Sequence, residues 1–399
     1  GLESRTRLVT LDLVTRKDAA ADFFGEENVP REAITMGVAT ILEAREILIL
    51  ATGEHKTDIV RRAVEGEVDH EVAATFLQTH PNTTAYLDHS AAAALTRVAT
   101  PWLLGPVDWT PELRVRAVTW LSHQAGKAIL KLTQADYAEH HLSSLVARSG
   151  TPGALNGEIF NALGAKIRGR SKLPRDQRVI CFSPHPDDDV ISMGGILHKL
   201  AQNGNEITVA YMTSGNLAVF DHDVRRHLDF LRRLARERRV GADAVNQLGA
   251  RLDEFLARKR PGDVDIAEVQ DIKRLIRESE AVAGVRTLGL DNRAARFLDL
   301  PFYQTGQVRK DPVGPADVAI VRAMLEEVEP SIIFVAGDLS DPHGTHRMCK
   351  EAIDRALVDY ATGGRERPEV WLYRGAWQEW PVTEATWLVP MSQEELKLK

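Results

Sequence analysis

Arg178-Val179-Ile180-Cys181-Phe182-Ser183-Pro184-His185-Pro186-Asp187-Asp188-Asp189 decides how this chain is read. Val179 to Ser183 is a short apolar run with a β-branched start, the pattern of a strand buried on both faces. Ile191 to Gln202 then carries helical periodicity, so the His-Pro-Asp-Asp-Asp loop sits where a buried strand ends and a helix begins. Ligands of open α/β sheets bind at the carboxyl ends of strands, which makes this loop the first place to look for a site. Its prolines stiffen the backbone. Three adjacent carboxylates beside an imidazole repel one another unless a cation or a helix N-terminus neutralises them.

A second polar segment, Gly337-Asp338-Leu339-Ser340-Asp341-Pro342-His343-Gly344-Thr345-His346, again follows an apolar run, Ser331 to Val335. His185, one aspartate and one of these histidines form a three-ligand set with an open position, the arrangement of catalytic rather than structural zinc. Read singly, each segment has a plain alternative: Asp187 to Asp189 as helix caps, His343 and His346 as hydrogen-bonded loop residues. Two such segments, each after a strand, favour the metal reading. Two histidines and a carboxylate also suit non-haem iron oxygenases, a competing enzyme class.

Around this core, strand and helix signals alternate. Glu206 to Thr213 reads as a strand after an Asn-Gly-Asn turn, charge-rich helical stretches run to about Ala283, and strands are expected at Arg286–Leu290, Ser331–Val335 and Val370–Tyr373. Strands separated by helices imply an α/β fold with a mostly parallel, Rossmann-like sheet and flanking helices. Upstream, Ala33 to Ala44 reads as a helix, Glu46 to Thr52 as a buried parallel strand, Thr57 to Glu65 as a helix and Thr84 to Leu87 as a short strand. Residues 101–175, with Pro101, Pro106, Pro111 and Pro152 and a helix expected over Pro111 to Ala125, read as a helical connector ending in a basic hinge near Arg168. The expected division is 1–100, 101–175 and 176–399.

Fifty Lys and Arg against fifty-seven Asp and Glu leave a net charge of -7, no broad positive field for nucleic acid or an anionic membrane. The only cysteines, Cys181 and Cys349, cannot staple a chain this long. With no apolar run long enough to cross a bilayer and a charged start, a soluble cytoplasmic protein is expected. A small molecule is the expected partner, with homo-oligomerisation left open.

The Pro184-His185-Pro186-Asp187-Asp188-Asp189 loop, Gly194-Gly195, Thr213-Ser214-Gly215-Asn216 and Asp341-Pro342-His343-Gly344-Thr345-His346 together resemble the LmbE/PIG-L family of zinc N-deacetylases, over roughly residues 176–399. The resemblance implies zinc bound by His185, Asp188 and His346, with Asp187 as general base and His343 stabilising the oxyanion or protonating the leaving amine. It also implies an amino-sugar substrate whose N-acyl group is removed. Asp189 stands where the family often has Glu, at a position that is not a ligand. Asn216, Arg293 and Arg296 are polar candidates for substrate contact.

Residues 2–98 resemble the C-terminal portion of glucosamine-6-phosphate deaminase, through Ser4-Arg5-Thr6-Arg7, Phe23-Phe24, Ala33 to Val38, Leu50-Ala51-Thr52-Gly53, Lys56 and Leu77 to Pro81. This implies a partial α/β deaminase-like domain, a sugar-phosphate contact at Lys56 and an effector region around Arg7 and Thr10. Lys56, entering a helix after Gly53, is physically sensible for phosphate. Asp22 falls near the family's phosphate-binding arginine, and the catalytic Asp and Asp-Gly-His segment has no counterpart, so this chain is not expected to deaminate. Stretches such as Phe24 to Pro30 and Phe297 to Tyr303 resemble fusions of the two modules. The alternative reading is an amino-sugar phosphate deaminase/isomerase in a longer parent, with the LmbE-like part as a binding module.

Overall fold

The structure, a computed structural model, describes residues 2–19, 29–238, 241–260, 263–307, 309–339, 341, 344–375 and 378–398. In chain order its strands are β1 (Arg7–Thr10), β2 (Glu32–Thr35), β3 (Ile47–Ala51), β4 (Thr83–Leu87), β5 (Arg178–Ser183), β6 (Glu206–Tyr211), β7 (Ala295–Phe297), β8 (Ile332–Ala336) and β9 (Glu369–Tyr373). Its α-helices are α1 (Leu13–Ala19), α2 (Val38–Leu42), α3 (Thr57–Glu65), α4 (Thr96–Ala99), α5 (Pro111–Ala125), α6 (Gln134–Glu139), α7 (Ser143–Ser149) and α8 (Pro152–Ala165). They continue with α9 (Asp188–Gln202), α10 (Asp221–Arg238), α11 (Ala242–Arg258), α12 (Ala267–Thr287), α13 (Pro315–Val328), α14 (Thr345–Thr362) and α15 (Gln393–Leu398). Two compact units emerge, one of residues 1–10, 32–168 and 380–390, the other of 11–31, 169–379 and 391–399.

The larger unit is built on a five-stranded, all-parallel sheet of order β7-β6-β5-β8-β9. β5 is its centre, and Val179 to Ser183 are buried without interruption, as a strand covered on both faces requires. Ile180 and Phe182 join Val321 and Leu325 of α13 and Ile353 and Leu357 of α14 in one core. α9 packs on β5 and β6. The chain leaves β5 through α9 towards β6, and leaves β8 through α14 towards β9 on the other side. Right-handed crossovers in opposite directions place these helices on opposite faces and open a crevice between the carboxyl ends of β5 and β8. A small secondary core, Val224, Leu228, Leu252, Leu256 and Val269, ties α10, α11 and α12 together.

The expected strand at Arg286–Leu290 is not formed. α12 runs on to Thr287 with Val285 buried, and the chain turns at Gly289, whose φ of 85° ends the helix with the Leu290 N–H bonded to the Val285 carbonyl at 3.0 Å. The strand forms instead at β7, a few residues later.

In the smaller unit, β3 and β4 are parallel and joined through α3, while β1 and β2 form an antiparallel pair. The helix expected over Ala33 to Ala44 is split. Ile34 and Thr35, β-branched, pair with β1, and only Val38–Leu42 is helical. Gly37 permits the break, because a Cβ there would lie 2.0 Å from the Ser4 carbonyl oxygen. Residues 101–165 enclose their own core of Trp102, Trp109, Leu121, Tyr137, Leu145, Leu155 and Ile159. α5 keeps its expected bounds because both ends are signalled: Thr110 accepts from the Leu113 N–H at 3.2 Å, Pro111 follows, and Gly126 closes with φ 60°. No helix of the described residues is long and apolar enough to cross a membrane.

Candidate functional site

The Ser183–Asp188 turn is held by its own polar groups. Ser183 donates to the His185 carbonyl at 2.6 Å and accepts the Asp189 N–H at 3.1 Å, tying the end of β5 to the first turn of α9. The three carboxylates then diverge. Asp187 is the N-cap of α9 but makes no capping bond through its side chain; its carboxylate meets the Arg277 guanidinium at 2.9 Å and remains 44% exposed. Asp189 is fully buried and accepts from Tyr211 at 2.9 Å. Burial pushes its acid up to about 6, with the Tyr211 and Ser183 hydrogen bonds pulling the other way.

Asp188 turns inward. Its Oδ2 accepts from the His185 N–H at 3.0 Å and lies 3.2 Å from His185 Nδ1 and 3.2 Å from His346 Nε2. Burial alone would raise its pKa, but the two imidazoles outweigh that and hold it well below the usual carboxylate range. His346, in the first turn of α14, is 1% exposed, and its Nδ1 meets the Asp338 carbonyl oxygen at 2.9 Å, the carbonyl accepting. That contact puts the Nδ1 proton on the carbonyl side and leaves Nε2 as the ring nitrogen beside Asp188.

His185 Nδ1, the Asp188 carboxylate and His346 Nε2 thus present one ligand atom each within 4.8 Å of one another. His346 Nε2 is close to Asp188 yet off hydrogen-bonding direction, so it is a buried ring nitrogen without a hydrogen-bond partner. A neutral nitrogen lone pair facing a carboxylate is repulsive unless a cation lies between them, and this donor set suits a divalent ion. The negative charge of Asp188 also lifts His346 above an ordinary imidazole, because it favours the protonated ring: burial opposes, but the Asp188 contact prevails.

Four residues were not singled out by sequence. Arg277, ninety residues downstream on α12, packs its Nε about 3.2 Å from where a Cβ on Gly215 would stand; Gly215 has φ 63° and leaves that space. Tyr303 is buried with its ring 6.2 Å from that of His185, and burial raises its phenol while the Arg277 charge pulls it down. Lys310 lies over the Tyr303 ring at 5.7 Å. Asp341 is 2% exposed with neither carboxylate oxygen hydrogen-bonded. Tyr303 and Asp341 lay within stretches noted by resemblance, though neither was given a role, whereas Arg277 has no local signal in its charge-rich helix.

His343 lies outside the described residues, as do Asp22, Phe23 and Phe24. Asn216 is buried at the start of the turn after β6. Arg293 projects into solvent, its side chain 95% exposed, and Arg296 is clasped by Glu327 through two bonds of 2.7 and 2.9 Å. Neither belongs to the histidine–aspartate cluster. Lys56 stands in the smaller unit at the N-terminus of α3, after Gly53, whose N–H donates to Asp88 at 2.9 Å.

Residues 180–357 match the family model described as PIG-L: GlcNAc-PI de-N-acetylase. A glucosamine-6-phosphate deaminase-like protein of Bacteroides thetaiotaomicron is 42% identical over 419 residues, spanning all of this chain and 63% of that protein. Glucosamine-6-phosphate deaminase of Rhodopirellula baltica is 50% identical over 97 residues, 24% of this chain and 39% of that enzyme. The chain therefore spans less than two thirds of the length of these relatives. Among solved structures, the A40926 pseudoaglycone deacetylase Dbv21 aligns at 17% identity over 50% of this chain and 64% of its own, with a TM-score of 0.27. A monomeric glucosamine-6-phosphate deaminase aligns at 38% identity over 23% of this chain and 39% of its own, with a TM-score of 0.23. The chain carries a PIG-L (LmbE-like) domain at residues 180–357, and its N-terminal part is similar to glucosamine-6-phosphate deaminase.

Proposed function

We propose that this protein is a zinc-dependent amide hydrolase that removes the N-acetyl group of an amino sugar, an N-acetylglucosamine derivative with or without a phosphate. The observation that carries the reading is the buried His346 Nε2, 3.2 Å from the Asp188 carboxylate without a hydrogen-bond partner and joined there by His185. His185, Asp188 and His346 would hold the metal. Bound there, zinc would polarise the amide carbonyl and acidify the attacking water. Asp187, with its carboxylate reachable from solvent and steadied by Arg277, takes the proton from that water as the carbon–oxygen bond forms. His343, three residues before His346 in the sequence, returns a proton to the nitrogen as the carbon–nitrogen bond breaks, or supports the oxyanion. Asn216, at the carboxyl end of β6, is the first candidate for a sugar hydroxyl; Arg293 is open to a more distant substituent, and Arg296 would have to leave Glu327 to take part. The names of the family and of the deaminase relatives support amino-sugar chemistry as the substrate class. Lys56 would belong to a separate phosphate contact in the smaller unit.

The test is a screen of N-acetylated amino sugars, each with and without a 6-phosphate, for acetate release by purified protein reconstituted with zinc. Acetate released in step with zinc content supports the proposal. Full zinc loading with no release from any of them removes the substrate class, and stoichiometric iron with oxygen consumption removes the hydrolase.

A further inference from the structure

Four charged side chains of the larger unit form a closed ring of ion pairs, and none of them has a part in the chemistry proposed above. The Lys273 ammonium, on α12, stands 2.8 Å from Asp221 Oδ1 and 2.7 Å from Asp265 Oδ2; the Lys259 ammonium stands 2.8 Å from Asp221 Oδ2 and 2.7 Å from Asp265 Oδ1. Lys273 is 7% exposed, and Lys259 and Asp265 are largely covered. Burial opposes these charges, but the contacts prevail, holding Asp221 below an ordinary carboxylate and Lys259 above an ordinary ammonium.

The ring joins four places in the chain: Asp221 opens α10, Lys259 follows α11, Asp265 precedes α12 and Lys273 lies within α12. Adhesion between these helices comes from the apolar cluster of Val224, Leu228, Leu252, Leu256 and Val269. Replacing a buried ion pair by apolar groups of similar volume is often neutral or stabilising, so a ring of charges is a weak source of stability. What it adds is direction. Apolar attraction is non-directional and tolerates sliding, whereas two ammonium groups shared between two carboxylates are satisfied in one register only.

That register bears on the site from two sides. Lys273 and Arg277 are one turn apart on the same face of α12, and Arg277 holds the Asp187 carboxylate at 2.9 Å. Asp221 closely follows the turn Asn216–Ala218, on which α12 packs, with Arg277 Nε against Gly215. We propose that Lys273 is a positioning residue of this site: through the ring it fixes α12 against the turn after β6 and so sets where Arg277 meets Asp187. The inference rests on the reading of Asp187 as the base.

The test is Lys273→Met, read in two ways. In the free protein, the nuclear magnetic resonance signal of the Arg277 Nε–H, a buried group without a hydrogen-bond partner, should shift in Lys273→Met and return in Lys273→Arg. That readout needs neither metal nor substrate, so a shifted signal with no acetate released from any amino sugar counts against the hydrolase and supports the positioning. In zinc-reconstituted protein turning over an amino sugar, Lys273→Met should lower kcat about tenfold with KM changed by less than about twofold and metal content unchanged, and Lys273→Arg should recover most of the loss. In an Arg277→Ala background the same substitution should change kcat by less than about twofold, because Lys273 acts through Arg277. An unmoved Arg277 signal overturns the inference. So does an undiminished loss in the Arg277→Ala background, which marks a general loosening of the fold. Asp265→Asn, which removes one charge of the ring and keeps its shape, gives the same readings where Lys273→Met does not fold.

Discussion

Two turns in this protein have the same architecture and different contents. Ser183–Asp188 and Ala51–Thr57 each lead from the carboxyl end of a parallel strand into a helix. In the first, the segment after a neighbouring parallel strand, β8, delivers a second imidazole, and two imidazoles and a backbone N–H converge on one buried carboxylate oxygen. In the second, the segment after the neighbouring strand β4 delivers Asp88, which is spent on the Gly53 N–H, and Lys56 stands half-buried at the start of the helix. A strand-to-helix turn is an address for a ligand. Convergence from a second strand is what turns the address into a site.

The contrast is easiest to break at the convergence point. His346→Ala should strip the metal and reduce acetate release by about a thousandfold or more, read by metal analysis beside turnover; retained metal would mean that the three groups do not share an ion. Asp187→Ala should lose about 10²–10⁴ in kcat with metal content intact, and unchanged turnover would remove its role as base. Arg277→Ala should cost about ten- to a hundredfold in kcat by freeing the Asp187 carboxylate, with Arg277→Lys recovering part of it. If Arg277 only packs, KM and kcat will both stay put.

Stability sharpens the same comparison. Leu197→Ala, in fully buried α9 surroundings, should destabilise the larger unit by about 2–5 kcal/mol, whereas Leu50→Ala on the bare face of β3 should stay within about 0.5 kcal/mol, both read by denaturant unfolding. The smallest effect concerns acid. Asp136 is drawn down to about 2 by the Lys127 ammonium and the Thr133 capping bonds. A carboxyl lowered on folding stabilises above its unfolded value near ~3.9 and ceases to do so as pH falls towards about 2. Asp136→Asn should flatten the acid limb of the helical core's unfolding in that window and leave the neutral-pH activity alone.

Much of this was written in local chemistry. α5 and α3 kept their expected limits because caps, prolines and glycines punctuate them, and β5 and β8 were visible as unbroken apolar runs. Arg286–Leu290 misled because Thr-Leu-Gly-Leu looks strand-like in isolation, while its fate was set by the packing of Val285 and the left-handed turn at Gly289. Ile34 misled the other way: its partner strand, β1, is more than twenty residues off. In the site, the histidines and aspartates announced themselves by type and spacing. The salt bridge from Arg277 did not, since it is defined by a neighbour that only folding supplies.

The geometry around Asp188 would also govern how the proposed ion is taken up. Without a metal, the upward-shifted His346 imidazole favours holding a proton beside the Asp188 carboxylate. Loading a metal there would therefore be an exchange that liberates acid into the buffer. A calorimetric or dye-based titration would register that release, and mild acidification should empty the protein more readily than dilution does.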